Sequence, residues 1–111
     1  MTELRLSDLS GARQAFIRTC QRLAFGRICG LAVRDCEPVF DQQAQLIFDL
    51  KLDVEDESRP ELELPDFVLC TEIRRLLLVF DTFRNGTIEQ LEVRGGVPRR
   101  MVFKAGDPAQ R

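Results

Sequence analysis

Few side chains in this sequence could do chemistry, and most of the familiar partnerships are missing. There is no histidine, tyrosine or tryptophan, which removes the commonest general base and several stacking groups. The four cysteines, Cys20, Cys29, Cys36 and Cys70, fit neither a C-x-x-C pair nor a zinc ribbon. A zinc site would have to use all four thiolates. The simpler reading is four reduced thiols behaving as small apolar residues, with no metal and no cofactor. A catalytic thiol needs a positive neighbour to lower its pKa. Only Cys36, following Arg34 and Asp35, meets that condition at an exposed position, and it reads more simply as a turn thiol. Asp49, Asp53 and Glu55 alternate along one stretch as a solvated strand face would. No nucleophile elbow, phosphate loop, dinucleotide fingerprint or zinc-protease motif is present. The expectation is a protein that is not an enzyme.

The cations are more suggestive. Net charge is −2 but unevenly spread. Residues 1–36 hold six arginines against three acids, residues 37–83 four cations against twelve acids, and residues 84–111 six cations against three acids. Two basic ends therefore flank an acidic middle, a layout that can mark a polyanion-binding face or head-to-tail pairing of subunits. The candidate contact residues are Arg34, Arg94, Arg99, Arg100 and Lys104. A helix followed by a basic hairpin is similar to the helix-plus-wing arrangement used on DNA, but both helices here are too apolar to act as recognition helices. All eight aromatics are phenylalanine, and most fall on core stripes rather than on a stacking platform.

The elements that must position these groups come from one stretch that occurs twice. Residues 26–38 and 86–98, overlaid at an offset of 60, agree at Gly26/Gly86, Ile28/Ile88, Leu31/Leu91, Val33/Val93, Arg34/Arg94 and Pro38/Pro98. The apolar pattern continues backwards through Phe16/Leu76, Ile17/Leu77, Cys20/Phe80 and Leu23/Phe83. This reads as an internal repeat of helix, glycine stop and β-hairpin. A first helix over about 8–25 is capped by Ser7 or Ser10, buries Ala12, Phe16, Cys20 and Leu23, and stops at Gly26. A strand at 27–34 puts Cys29, Leu31 and Val33 on one face and Ile28, Gly30, Ala32 and Arg34 on the other. Asp35-Cys36 takes the turn that Gly95-Gly96 takes in the second copy.

Between the copies, Ala44, Leu46, Phe48, Leu50, Leu52 and Val54 alternate with mostly polar neighbours, predicting a strand over 44–54 with one buried face. An acidic loop with two prolines follows at 55–65. Asp66 is the expected N-cap of a second helix, which buries Phe67, Cys70, Ile73, Leu77 and Phe80 and ends at Asn85-Gly86. Strands at 87–94 and 97–104 close the second hairpin, and 105–111 reads as a frayed tail. The predicted fold is a single α+β domain, αβββαββ. Repeat units at 8–41 and 66–104 supply about five antiparallel strands with two helices on one face.

A length of 111 residues suits one domain. No run of about 18 apolar residues is present and the first residues lack a signal-peptide pattern, so a cytoplasmic protein with no membrane contact is expected. Ile28, Ile47, Leu69, Val79, Ile88 and Met101 are apolar yet off the main stripes. They are the candidate interface of a homodimer. The expected role is protein binding or self-association; the alternative is a nucleic-acid-binding regulator using the two basic hairpins.

Overall fold

The computed structural model describes residues 4–53 and 64–106. The expected acidic loop at 55–63 and the tail from 107 lie outside the described residues. The fold is α+β: two helices and an open sheet of six antiparallel strands.

Helix α1 spans Gly11–Leu23. Ser10 caps it, its Oγ accepting from the Arg13 N–H, which satisfies one of the orphan donors of the first turn. Phe16, Ile17, Cys20 and Leu23 are buried as their spacing requires, whereas Ala12 is exposed because it sits in the first turn, short of the sheet. The helix ends at Ala24, with φ 65° and ψ −69°, so the left-handed stop falls two residues before Gly26. Helix α2 spans Thr71–Phe83 and ends likewise at Arg84, with φ 67° and ψ −45°. These are the angles of a tight γ-turn, rare for a residue with a side chain, and at Arg84 the Asn85 N–H duly bonds the Phe83 carbonyl at 2.7 Å.

Helix α2 starts four residues later than expected. Asp66 is not its cap: its carboxylate accepts from the Arg5 guanidinium, the Ser7 N–H and the Ser7 hydroxyl. Residues around it run extended beside the N-terminal segment, with Leu6 N–H donating to the Phe67 carbonyl and Leu69 N–H to the Leu4 carbonyl, each at 2.9 Å. That ladder uses backbone groups a helix would need, so the helix waits until Thr71. Leu6 and Leu69 are buried beneath it.

The strands are β1 (Phe25–Cys29), β2 (Leu31–Arg34), β3 (Glu37–Val39), β4 (Gln45–Phe48), β5 (Gly86–Arg94) and β6 (Val97–Ala105). β1 and β2 lie end to end along one side of β5, and β6 pairs its other side. β3 pairs β2 and β4 pairs β1 on the outer edge. The expected single strand over 27–34 is thus two, which raises the count from five to six. The break is Gly30, at φ 72°, whose N–H bonds the Ile88 carbonyl at 2.9 Å. A Cβ there would stand 2.8 Å from the Gln43 carbonyl oxygen, so the position needs glycine. The break also resets the alternation. Ile28 shares its face with Leu31 and Val33, not with Ala32 and Arg34. A matching irregularity between Ile88 and Gln90 puts Ile88 on one face with Leu91 and Val93. All six are buried, and facing pairs Ile28–Leu91 and Leu31–Ile88 form the floor of the core.

Against that floor pack Phe16, Ile17, Cys20 and Leu23 from α1 and Ile73, Leu76, Leu77 and Phe80 from α2 in one cluster. Phe16 and Phe80 meet edge-on at 5.7 Å between centroids, a contact worth about 1 kcal/mol beyond its area. Arg13 clamps the rim. Its guanidinium lies 5.8 Å over the Phe80 ring and donates to Glu37, Asp81 and the Cys36 carbonyl. Burial would lower its pKa, but Asp81 and Glu37 raise it. α1 packs chiefly on β3 and α2 on β6.

Candidate functional site

The expected strand over 44–54 is the element that departs furthest from its pattern. Only Gln45–Phe48 pairs, as β4, and every residue of it is exposed. By register Leu46 faces Ile28 and Phe48 faces Gly26, which puts both on the helix-bearing side. Neither helix packs chiefly on β4, since α1 lies mainly across β3 and α2 across β6. The stripe is 42% exposed at Leu46, 51% at Phe48, 70% at Leu50 and 94% at Leu52. On the opposite side, Ile47 at 38% and Phe25 at 48% stand at the same corner. The backbone ladder stops just after Phe48, with Asp49 N–H donating to the Phe25 carbonyl at 2.8 Å. Among the described residues β4 has a partner on one edge only. The site is therefore an unpaired sheet edge carrying an apolar stripe, an arrangement that monomeric proteins ordinarily blunt with charge, bulges or cover.

The other expected interface residues part company. Ile28, Ile88 and Leu69 are fully or nearly fully buried and offer no surface; the strand breaks turn the two isoleucines inward, and the extended 64–70 segment packs Leu69 inside. Val79 and Met101 are half-buried and line a shallow groove between α2 and β6 together with Arg75, Arg99 and Arg100. Of the six, only Ile47 stands at the exposed edge. Leu46, Phe48, Leu50 and Leu52 were visible in the alternation but were expected to be covered.

The basic residues are also divided. The open face of the sheet carries a row Ile47–Arg27–Glu92–Arg100 across four strands. Arg94 bonds Glu92 at 2.6 Å, and Lys104 lies opposite Thr87 on the same face. Arg34, exposed at the end of β2, stands apart by the hairpin tip. Arg99 turns to the helix side and bonds Glu72 at 2.5 Å. The Glu72 carboxylate is held below its usual range by its own backbone N–H, with Arg99 adding to the effect. The structure thus gathers Arg94, Arg100 and Lys104, with Arg27 added, but interleaves them with Glu92.

Cys36 is half-buried at the turn, where its N–H bonds the Arg84 carbonyl at 2.8 Å. Cys20 is buried, which pushes its pKa up to about 12. Asp49 and Asp53 are exposed; Glu55 lies outside the described residues. Among the described residues no group of three or more His, Cys, Asp or Glu is placed to hold a metal, and no helix is long and apolar enough to cross a membrane. No protein-family model matches this sequence, and no curated protein or solved structure is significantly similar to it.

Proposed function

We propose that this chain is a small non-enzymatic domain that works by binding protein, in the first instance itself, through the edge formed by β4 and the residues that follow it. The observation that carries the reading is the exposure of Leu46, Phe48, Leu50 and Leu52 along one stripe. Fully covering a side chain of this kind is worth about 1.5–3 kcal/mol, most of it still available at Leu50 and Leu52, so these residues supply a driving force with no counterpart among the described residues. A reducing, cytoplasmic setting agrees with four free thiols.

The chain reads as a duplicated helix–hairpin unit. What supports this is the spacing of its parts. Gly11–Leu23 and Thr71–Phe83 differ by 60 at both ends, as do the strained ends at Ala24 and Arg84 and the two-residue turns at Asp35-Cys36 and Gly95-Gly96. Two hydrogen bonds exchange under the same offset: Gly96 N–H to the Ala24 carbonyl, and Cys36 N–H to the Arg84 carbonyl. A duplicated unit of this kind pairs its halves through β5 and the β1–β2 line, with β4 added on the outer side of β1. Self-association then repeats between chains the edge pairing already used within one.

Sedimentation velocity from 1 to 100 µM tests the reading. A concentration-dependent shift from monomer to dimer is expected, and a monomer throughout would overturn it. The row of cations on the open face favours a second reading, nucleic-acid binding. It is weaker because Glu92 sits among them and Arg94 is paired to it. Duplex binding that falls steeply with salt would promote it.

A further inference from the structure

We infer that the homodimer seam is residues 48–52 paired antiparallel with the same residues of a second copy, with Leu50 facing Leu50 on the two-fold axis. This rests on the self-association reading above and adds its surface and register. In an antiparallel pair, residues opposite each other share a face. Identical strands related by a two-fold must therefore be centred on a residue, since a one-residue slip would set the apolar stripe against the polar one. Five centres fall between Ile47 and Lys51, and side-chain chemistry separates them.

Centring on Lys51 sets Lys51 against itself and Asp49 against Asp53. Centring on Asp49 sets carboxylate against carboxylate and Ile47 against Lys51. Centring on Phe48 sets Ile47 against Asp49. Centring on Ile47 leaves Leu50 and Leu52, the two most exposed members of the stripe, beyond the paired core. Centring on Leu50 sets Phe48 against Leu52 twice and Leu50 against itself on one face. On the other face it sets Asp49 against Lys51 twice. Only this register adds two opposite-charge cross-strand pairs to the apolar stripe, the arrangement that stabilises adjacent strands; Ile47 and Asp53 fall opposite each other outside the five-residue seam. Among the described residues it is also sterically open, because the outer edge of β4 has no partner there and residues 49–53 project past the end of β1 with every side chain exposed. In the single chain the backbone turns at Leu52-Asp53; pairing straightens it and continues β4.

The register predicts a charge-swap pattern that other registers do not. Asp49→Lys alone places lysine against lysine twice, and Lys51→Asp alone places aspartate against aspartate twice. Each variant should weaken its own dimerisation by about tenfold or more. Mixing the two variants restores both opposite-charge pairs. The introduced lysine of one chain meets the introduced aspartate of the other, and the native Lys51 of the first meets the native Asp49 of the second. The heterodimer should therefore form with near wild-type affinity, and a chain carrying both substitutions should self-associate normally. Both positions are exposed, so the variants should fold, with far-UV circular dichroism as the check. The readout is the dissociation constant from sedimentation velocity, with a mass-tagged copy to separate heterodimer from homodimer. A wild-type chain that stays monomeric to 100 µM overturns both this inference and the self-association reading. A wild-type dimer that ignores the single reversals, or single variants that fail to recover on mixing, overturns the seam and leaves self-association standing on another surface.

Discussion

Three isoleucines that look alike in the sequence should behave in two different ways. Ile28 and Ile88 are fully buried at the middle of the sheet, facing Leu91 and Leu31 beneath both helices, whereas Ile47 is 38% exposed at the β4 edge. Truncating Ile to Ala removes three carbons. At about 0.8 kcal/mol per buried methylene the transfer loss alone is about 2.5 kcal/mol at Ile28 or Ile88. The cavity adds to it, because the neighbours are held between the sheet and the two helices and cannot close in; about 3–4 kcal/mol is the expected total, inside the measured range for such changes. For a domain of this size that is a fall of about 12–20 °C in Tm. Ile47→Ala has no cavity to leave and should cost less than about 0.7 kcal/mol. With no tryptophan or tyrosine to report on unfolding, the assay is far-UV circular dichroism against urea, at one protein concentration for all three variants. A loss at Ile88 below about 1 kcal/mol, or equal losses at all three sites, would refute the placement of the strand breaks that turn Ile28 and Ile88 inward.

Arg13→Ala should cost about 2 kcal/mol, and Arg13→Lys most of that, since an ammonium cannot reproduce the fork that reaches Glu37, Asp81 and the Cys36 carbonyl together; urea melts of both variants check it. Cys36→Gly should stabilise by about 0.5–1 kcal/mol, because Cys36 sits at φ 70° where Gly96 sits at φ 79° in the other turn, and a lower Tm for the variant would show that the thiol packs usefully. Asp66 has its pKa lowered from 3.8 to about 2 by hydrogen bonds from Arg5 and Ser7. Its depressed value in the folded chain means that its contribution is present above about pH 4 and lost as pH falls through about 2. A carboxyl 13C titration in the native chain should show that midpoint, and a midpoint near 4 would mean the N-terminal segment is not docked. Cys20, buried and with its thiol pKa pushed up to about 12, should resist a thiol reagent at pH 8 until the chain unfolds, while Cys29, Cys36 and Cys70 react first; rapid labelling of Cys20 in the folded protein would contradict its place in the core.

The helices, the hairpin turns and most of the core were legible because each rests on local chemistry. Ser10 caps, Phe16, Ile17, Cys20 and Leu23 recur at helical spacing, and Gly95-Gly96 announces its turn. What could not be read locally was decided by partners distant in the chain. Asp66 looks like a helix cap until Arg5 and Ser7, some sixty positions earlier, claim its carboxylate. Gly30 and the irregularity at Ile88/Gln90 shift the alternation by one, and strict period two cannot register a bulge. The same limit applied to the candidate site. Alternation marked Leu46, Phe48, Leu50 and Leu52 as one buried face; only Leu46 and Phe48 lie in a strand, and all four are exposed, because alternation says that residues are apolar, not that the same chain covers them. The basic residues Arg34, Arg94, Arg99, Arg100 and Lys104 are exposed, yet their grouping depended on β5–β6 register, which turns Arg99 to Glu72 and sets Arg100 opposite Glu92.

The two hydrogen bonds that fasten each hairpin tip to the opposite helix end have a consequence for how the chain acquires its shape. The residues joined along β1, β2 and β5 are separated by more than fifty positions, so loop closure must be completed before either tip is secured. During synthesis α1 and the first hairpin emerge while the inner edge of β1 and β2 lies open and Cys36 has no Arg84 carbonyl to bond. Neither half is a finished folding unit, and the strained ends at Ala24 and Arg84 gain their hydrogen-bond partners only when both are present. The centre of the sheet thus cannot close until residues 86–94 arrive, and until then the inner edge of β1 and β2, which later lies at the heart of the fold, faces water.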